Sequence, residues 1–274
     1  MENNESNSAR YSANSVYTLD NAGREASARF AALAAMYDPV TIRHLEDRGV
    51  SSGWHCLEVG GGGGSIAAWL AARVGSTGRV LVTDIDPRFL ESLHIPNLEV
   101  RRHDIVNDSL PEGAFDLVHS RLVLLHLPER EKALARMVAA LKPGGWLVDE
   151  EFDASSMLPN PVVNPGEVLL KTLTATRRVM EDRGADDSGF ARRLFSRLRA
   201  HGLVNVAAEA CIFMWDSGSP GASLLRANFD QLRSNMIDAG YITEEEFNQD
   251  IVRLNDPSFM MPSPIMWTAW GRVP

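Results

Sequence analysis

Cysteine is nearly missing from this chain: 274 residues hold only Cys56 and Cys211. Neither has metal-ligand spacing, which argues against a disulfide framework and a thiolate metal site; two free thiols in a reducing compartment are expected. Long apolar runs are also lacking. No stretch approaches the roughly 18–20 continuous apolar residues of a membrane-spanning helix. The segment 1–15 is a polar tail with neither an apolar h-region nor an arginine-rich transit pattern, so a cytoplasmic location is expected. Positive charge is in short supply, with Lys+Arg 27 against Asp+Glu 36 and a formal net charge of −9. An enzyme working on duplex nucleic acid carries a basic stripe. Neither nucleic acid nor an anionic membrane surface is therefore expected as a partner. The densest basic stretches, Arg177-Arg178 and Arg192 to Arg199, read as solvated helix faces. No internal repeat stands out, and the 45% apolar content suffices for one full core with a lid.

Glycine, by contrast, is concentrated. Residues 57–65 read Leu57-Glu58-Val59 followed by Gly60 to Gly64 and Ser65, five glycines between an apolar strand and an amphipathic helix. Such a run is costly in chain entropy unless the backbone must bend sharply or touch something. A flexible linker would not be flanked by His55-Cys56-Leu57 and Ile66-Ala67-Ala68-Trp69-Leu70. Two nucleotide motifs fit poorly. G-x-G-x-x-G would need glycine where Ser65 stands, and a P-loop would need Gly-Lys-Ser/Thr, yet no lysine follows Gly64. The pattern is instead acid-x-G-x-G-x-G on Glu58, Gly60, Gly62 and Gly64.

The following segments alternate in type. Arg79 to Asp84 is a short β-rich run ending in a carboxylate, at the place where an acid about 20 residues on binds a ribose hydroxyl pair. Asp86-Pro87 reads as N-cap and first residue of a helix through Leu93. Strands are expected over 98–105 and 115–121, then a helix over 128–141 stopped by Lys142-Pro143-Gly144-Gly145, then a strand over 146–151. Alternation of this kind predicts a parallel sheet with helices on both faces, whose ligands bind beyond the carboxyl ends of the strands. Gly60, Asp84, Asp104, Ser120 and Glu151 all stand at such ends.

The set Leu57-Glu58-Val59-Gly60-x-Gly62-x-Gly64, Val82-Thr83-Asp84-Ile85-Asp86, His103-Asp104-Ile105, Phe115-Asp116-Leu117-Val118 and Leu141-Lys142-Pro143-Gly144-Gly145 resembles the class I S-adenosylmethionine-dependent methyltransferases. Within them it looks most like the small-molecule branch related to ubiquinone and menaquinone biosynthesis enzymes and bacterial natural-product enzymes. The resemblance implies an α/β, Rossmann-like seven-stranded sheet, order 3-2-1-4-5-7-6, with strand seven antiparallel and a helical lid. It implies S-adenosyl-L-methionine as cofactor. Glu58, the acid of the motif, would belong to the cofactor-binding set; Gly60 and Gly62 would face the methionine portion, Asp84 the ribose hydroxyls, and Ile85 the adenine. Asp104 would accept from the adenine amino group with Ile105 beside the ring, and Ser120 and Arg121 would border the sulfonium. Tyr17 is a candidate contact for the methionine carboxylate.

Acceptor choice falls to the rest of the chain. Residues 16–50 are expected as a helical cap, with Asp38-Pro39 restarting a helix, and 51–274 as the methyltransferase domain with lid insertions near 154–188 and 216–262. Helices are expected over 166–183, 189–201, 220–239 and 243–254, the last opened by the capping box Thr243-x-x-Glu246. Strands are expected over 204–215 and 265–273. A substantial lid suits a small-molecule acceptor, partly apolar, methylated at O, N or C. Two side chains are candidate bases: Glu151, among Asp149-Glu150-Glu151-x-Asp153, and His126 in Leu124-Leu125-His126-Leu127. By alternation Asp149, Glu151 and Asp153 share one side of their strand. Competing readings are a protein or nucleic-acid methyltransferase and a cofactor-binding relative with another activity. An Asn/Asp-Pro-Pro-Tyr/Phe segment for base methylation is missing, His119-Ser120-Arg121-Leu122 standing in its place. Oligomeric state is open, a homodimer among the options.

Overall fold

The computed structural model describes residues 25–153, 156, 171–185 and 189–274. Tyr17, the tail 1–15 and much of the first insertion lie outside them. By contacts the described residues divide into two compact units, 34–153 and 156 with 189–212 and 264–274, and 25–33 with 171–185 and 213–263.

The first unit is built on the part of α1 (Glu25–Asp47) from Ala34 onward, β1 (His55–Val59), α2 (Ser65–Val74), β2 (Arg79–Asp84), β3 (Leu98–Arg102), β4 (Phe115–Arg121), α3 (Arg130–Ala139) and β5 (Leu141–Asp153). The second contributes α4 (Lys171–Asp182) before the first resumes with α5 (Leu194–Ala200) and β6 (Val204–Cys211). The second unit then adds β7 (Met214–Asp216), α6 (Pro220–Asp238), α7 (Glu244–Leu254) and β8 (Met260–Pro262), and β9 (Ile265–Arg272) ends the first. The seven-stranded sheet runs β3-β2-β1-β4-β5-β9-β6, with β9 antiparallel to both neighbours. This is the expected 3-2-1-4-5-7-6 order.

Side-chain alternation sorts the core into two layers. Leu57, Val59, Leu81, Val118 and Leu147 pack with Leu134 and Met137 of α3 and with Phe190, Leu194 and Leu198. Cys56, Val80, Leu117 and Val148 point the other way, onto Leu45 of α1 and Ile66, Leu70 and Val74 of α2. Strands buried on both faces must be apolar on both, which is why these read as near-continuous hydrophobic runs. Each fully buried Leu or Val contributes about 1.5–3 kcal/mol of burial free energy.

Several boundaries differ from expectation. Pro39 does not restart a helix: it lies inside α1. Proline removes one backbone donor, but Tyr37 on one side is buried edge-on to Phe152, and Thr41 on the other hydrogen-bonds Glu150, so the sheet holds both halves in line. The helix expected over 128–141 is shorter, because Leu141 already pairs with Phe115 and Leu141–Gly145 enters the sheet through a bulge. Asp86 caps only a 3₁₀ turn, Pro87–Phe89. The strand expected over 204–215 breaks after Cys211, and Met214–Asp216 pairs instead with β8 in the second unit. There α6 starts with Ser219 as N-cap, and α7 has the expected capping box between Thr243 and Glu246. The basic stretches are partnered: Arg177 with Glu181, Arg192 with Asp153, and Arg197 with Glu131.

Candidate active site

The bend after β1 is shaped by steric exclusion. Gly60, Gly62 and Gly64 adopt φ of 69°, 52° and 81°, a region side-chain-bearing residues rarely occupy. A Cβ on Gly60 would lie 2.3 Å from Val123 Cγ2, and one on Gly61 2.2 Å from Val82 Cγ2. The amides of Gly60 and Gly61 both donate to the Thr83 carbonyl, at 2.8 and 3.0 Å, pinning the bend to the end of β2. Bare main chain is thus presented next to the start of α2, where unpaired helix N–H groups gather.

Asp84 closes the bend from the neighbouring strand. Its Oδ2 accepts from Gly62 N at 3.0 Å and its Oδ1 from Asp86 N at 2.9 Å. Burial raises this carboxyl above its ordinary range, against the pull of those amides. The Ile85 amide also bears on this carboxyl, and the lone pairs that remain are acceptor capacity for ribose hydroxyls. Ile85 beside it is half-buried.

Asp104 is committed locally. It accepts from the amide of Val106 and the side-chain amide of Asn107, each at 2.8 Å. Burial opposes its ionisation, but these bonds outweigh that and hold the carboxyl below the usual range. Ile105 belongs to the apolar layer with Leu57 and Val59.

The acids on β5 part to opposite faces. Ser120 donates to Asp149 Oδ1, and both are fully buried. Burial lifts Asp149 to about 7, more than its hydrogen bond from Ser120 lowers it. Glu151 was expected as a base, and the structure gives its carboxylate other work. It is 0% exposed and accepts the backbone N–H groups of Val123 at 3.0 Å, Leu124 at 2.6 Å and Leu125 at 3.2 Å. Burial foremost, then the charge of Asp149, raises its carboxyl. The other candidate base, His126, ends the 3₁₀ turn Leu124–His126 and is buried. Arg121, expected beside the sulfonium, pairs with Asp38 at 2.9 Å and Thr41 at 3.0 Å on α1.

Unforeseen from the sequence is a buried polar chain on the α1 side. Glu58 Oε2 meets His119 Nδ1 at 2.6 Å, and His119 Nε2 meets Glu150 Oε2 at 3.4 Å. Glu150 also accepts from Thr41 and from Thr268. Burial alone would lower the His119 imidazole; the flanking carboxylates of Glu58 and Glu150 overcome it and hold it up at about 10. Glu150 in turn is held down at about 2 despite burial, chiefly by His119. The signal available was parity: Glu58 and His119 are register partners across β1 and β4. Glu58 thus faces this chain rather than the glycine bend. Among the described residues no group of His, Cys, Asp and Glu could hold a metal ion, and no helix is long and apolar enough to cross a membrane.

Comparison with known proteins agrees with this geometry. A family model described as a methyltransferase domain matches residues 57–149. Methyltransferase str2 of Strobilurus tenacellus is 34% identical over 131 residues, 47% of this chain and 46% of that protein. The ubiquinone/menaquinone biosynthesis C-methyltransferase UbiE of Pseudoalteromonas translucida is 33% identical over 116 residues, 39% of this chain and 46% of its own. The chain therefore spans about half the length of the curated relatives it matches. Among solved structures, the YcgJ protein of Bacillus subtilis superposes with a TM-score of 0.58 at 12% identity, over 86% of this chain and 99% of that one. At that identity the likeness speaks for the fold alone.

Proposed function

Because this chain belongs to the class I S-adenosylmethionine-dependent methyltransferases, we propose that it methylates O, N or C of a small, partly apolar metabolite. The observation that carries the reading is the bend at Gly60–Gly64, where Cβ atoms are excluded and Asp84 stands with acceptor capacity to spare. These residues fit the cofactor: the backbone would receive its methionine portion and Asp84 its ribose. When bound, S-adenosylmethionine supplies an electrophilic methyl group on a sulfonium with a good leaving group. Since the leaving group is already activated, the residues around it have mainly to align the acceptor and exclude water, and effective molarities in well-oriented pairs reach about 10⁵–10⁸ M.

Glu151 is withdrawn from proton transfer by its three backbone bonds. His126 is retained as the group that takes a proton from an O–H or N–H acceptor, an imidazole being suited to that near neutral pH. Names of the relatives support a small-molecule acceptor, since one acts in ubiquinone and menaquinone biosynthesis. The net charge of −9 disfavours nucleic acid.

The test is formation of S-adenosylhomocysteine from S-adenosylmethionine with small-molecule extract fractions. Activity that survives nuclease and protease treatment of the fractions supports the proposal. Activity abolished by either treatment transfers the acceptor to a macromolecule. Failure of the protein to bind S-adenosylmethionine in calorimetry overturns the reading altogether.

A further inference from the structure

Resting on that methyltransferase reading, we propose that Glu151 is a positioning residue for the methionine end of the cofactor crevice, acting through the backbone of residues 123–125 and the side chain of Val123. One carboxylate gathers three successive amides, Val123 and Leu124 on Oε1 and Leu125 on Oε2. Backbone N–H groups converging on one carboxyl group form a directional clamp; here the acceptor is the chain's own side chain.

The clamped segment needs holding. Leu122 adopts φ 58°, where non-glycine residues are uncommon. Such a conformation persists only when its surroundings over-determine it. Leu122 N donates to the Glu150 carbonyl at 2.8 Å, and the Glu151 carboxylate takes the next three amides. Two adjacent residues of β5 thereby fix the exit from β4.

The consequence is felt at the glycine bend. Val123 Cγ2 occupies the space a Cβ on Gly60 would need. Gly60 is also fixed by its bond to the Thr83 carbonyl. Val123 is therefore the wall against which the first glycine of the bend is set, and Glu151 sets the wall. A carboxamide at position 151 offers one acceptor oxygen and turns an N–H₂ toward amides that have nothing to accept with. At least one of the three amides then loses its partner, and the turn can relax.

The experiment compares two ligands on the purified full chain by calorimetry. S-adenosylhomocysteine has the amino-acid tail, whereas 5′-methylthioadenosine has the same nucleoside without it. For Glu151→Gln and for Val123→Ala, affinity for S-adenosylhomocysteine is expected to fall about tenfold, while that for methylthioadenosine stays within about twofold. In the double variant the loss is expected to be smaller than the product of the single losses, since both act along one path. A general loss of structure would weaken both ligands alike, and equal losses, or none, overturn the proposal. Should Glu151→Gln fail to fold, Val123→Ala decides by the same comparison. A wild-type protein that binds neither ligand refutes the methyltransferase reading itself, an outcome distinct from parallel losses in the variants.

Discussion

His119 Nδ1 lies 2.6 Å from Glu58 Oε2 in the interior of the sheet, and the opposite ring nitrogen faces Glu150. With a carboxylate at each nitrogen the ring is held as a doubly protonated cation. Its charge is thus shared between the strand that leads into the glycine bend and the strand that carries the acids. Removing it takes the cation from two buried carboxylates, of which Glu150 keeps Thr41 and Thr268, and breaking a buried pair from one side costs about 3–5 kcal/mol. His119→Ala is expected to lose that much in urea unfolding. A loss under 1 kcal/mol would show that the ring is not charged.

Stability should vary with pH on both sides of this network. His119 is raised from 6.5 to about 10, so its contribution is complete below about 6.5 and disappears as pH climbs through about 10. Asp149, raised from 3.8 to about 7, has the same sign, and its buried carboxyl grows costly as it ionises. Glu150 has the opposite sign: lowered from 4.5 to about 2, it stabilises above about 4.5 and loses that as pH falls through about 2. Thermal melts from pH 3 to 10 should therefore show an alkaline decline that His119→Gln flattens. An alkaline limb unchanged by that substitution would remove His119 from the account.

Much of the sheet was legible because each strand announces itself locally. Phe115–Arg121 ends where expected, and the glycines, Asp84 and Asp86 hold the bend and the turn that their spacing implies. Parity on β5 was also readable: Asp149 reaches Ser120, Glu151 the 123–125 amides and Asp153 Arg192, while Glu150 turns to Thr41 and Thr268. What each acid does was not, because its partners are distant in sequence. Glu58 and His119 are 61 residues apart, Glu150 and Thr268 118. An acid at a strand end looks like a base until the amides that occupy it are brought in by the fold. Pro39 misled for a related reason, since a local breaker is overridden by contacts from β4 and β5.

At the proposed cofactor crevice, Asp84→Ala is expected to weaken S-adenosylmethionine binding by about 1.5–3 kcal/mol, the range for hydrogen bonds made by a charged partner. The same change frees the Gly62 amide, so hydrogen exchange there should quicken. Unchanged calorimetric affinity in a folded variant would take the ribose away from Asp84.

Gly60→Ala and Gly61→Ala separate two ways of damaging the bend. At Gly61 the added methyl meets Val82 Cγ2 and, close by, Leu90, a pure overpacking at the end of β2. Such insertions cost about 1–3 kcal/mol, and the thermal midpoint should drop. At Gly60 the methyl meets Val123 Cγ2 and the residue must also hold φ 69°, so packing and backbone are penalised together. Trimming the wall distinguishes them. Gly60→Ala combined with Val123→Ala should recover the packing share of the loss and leave the backbone share, whereas Gly61→Ala should gain nothing from Val123→Ala because Val123 is not among its nearest neighbours. Melting curves of the four variants decide it: recovery in both backgrounds, or in neither, would mean that Val123 does not set the space at Gly60.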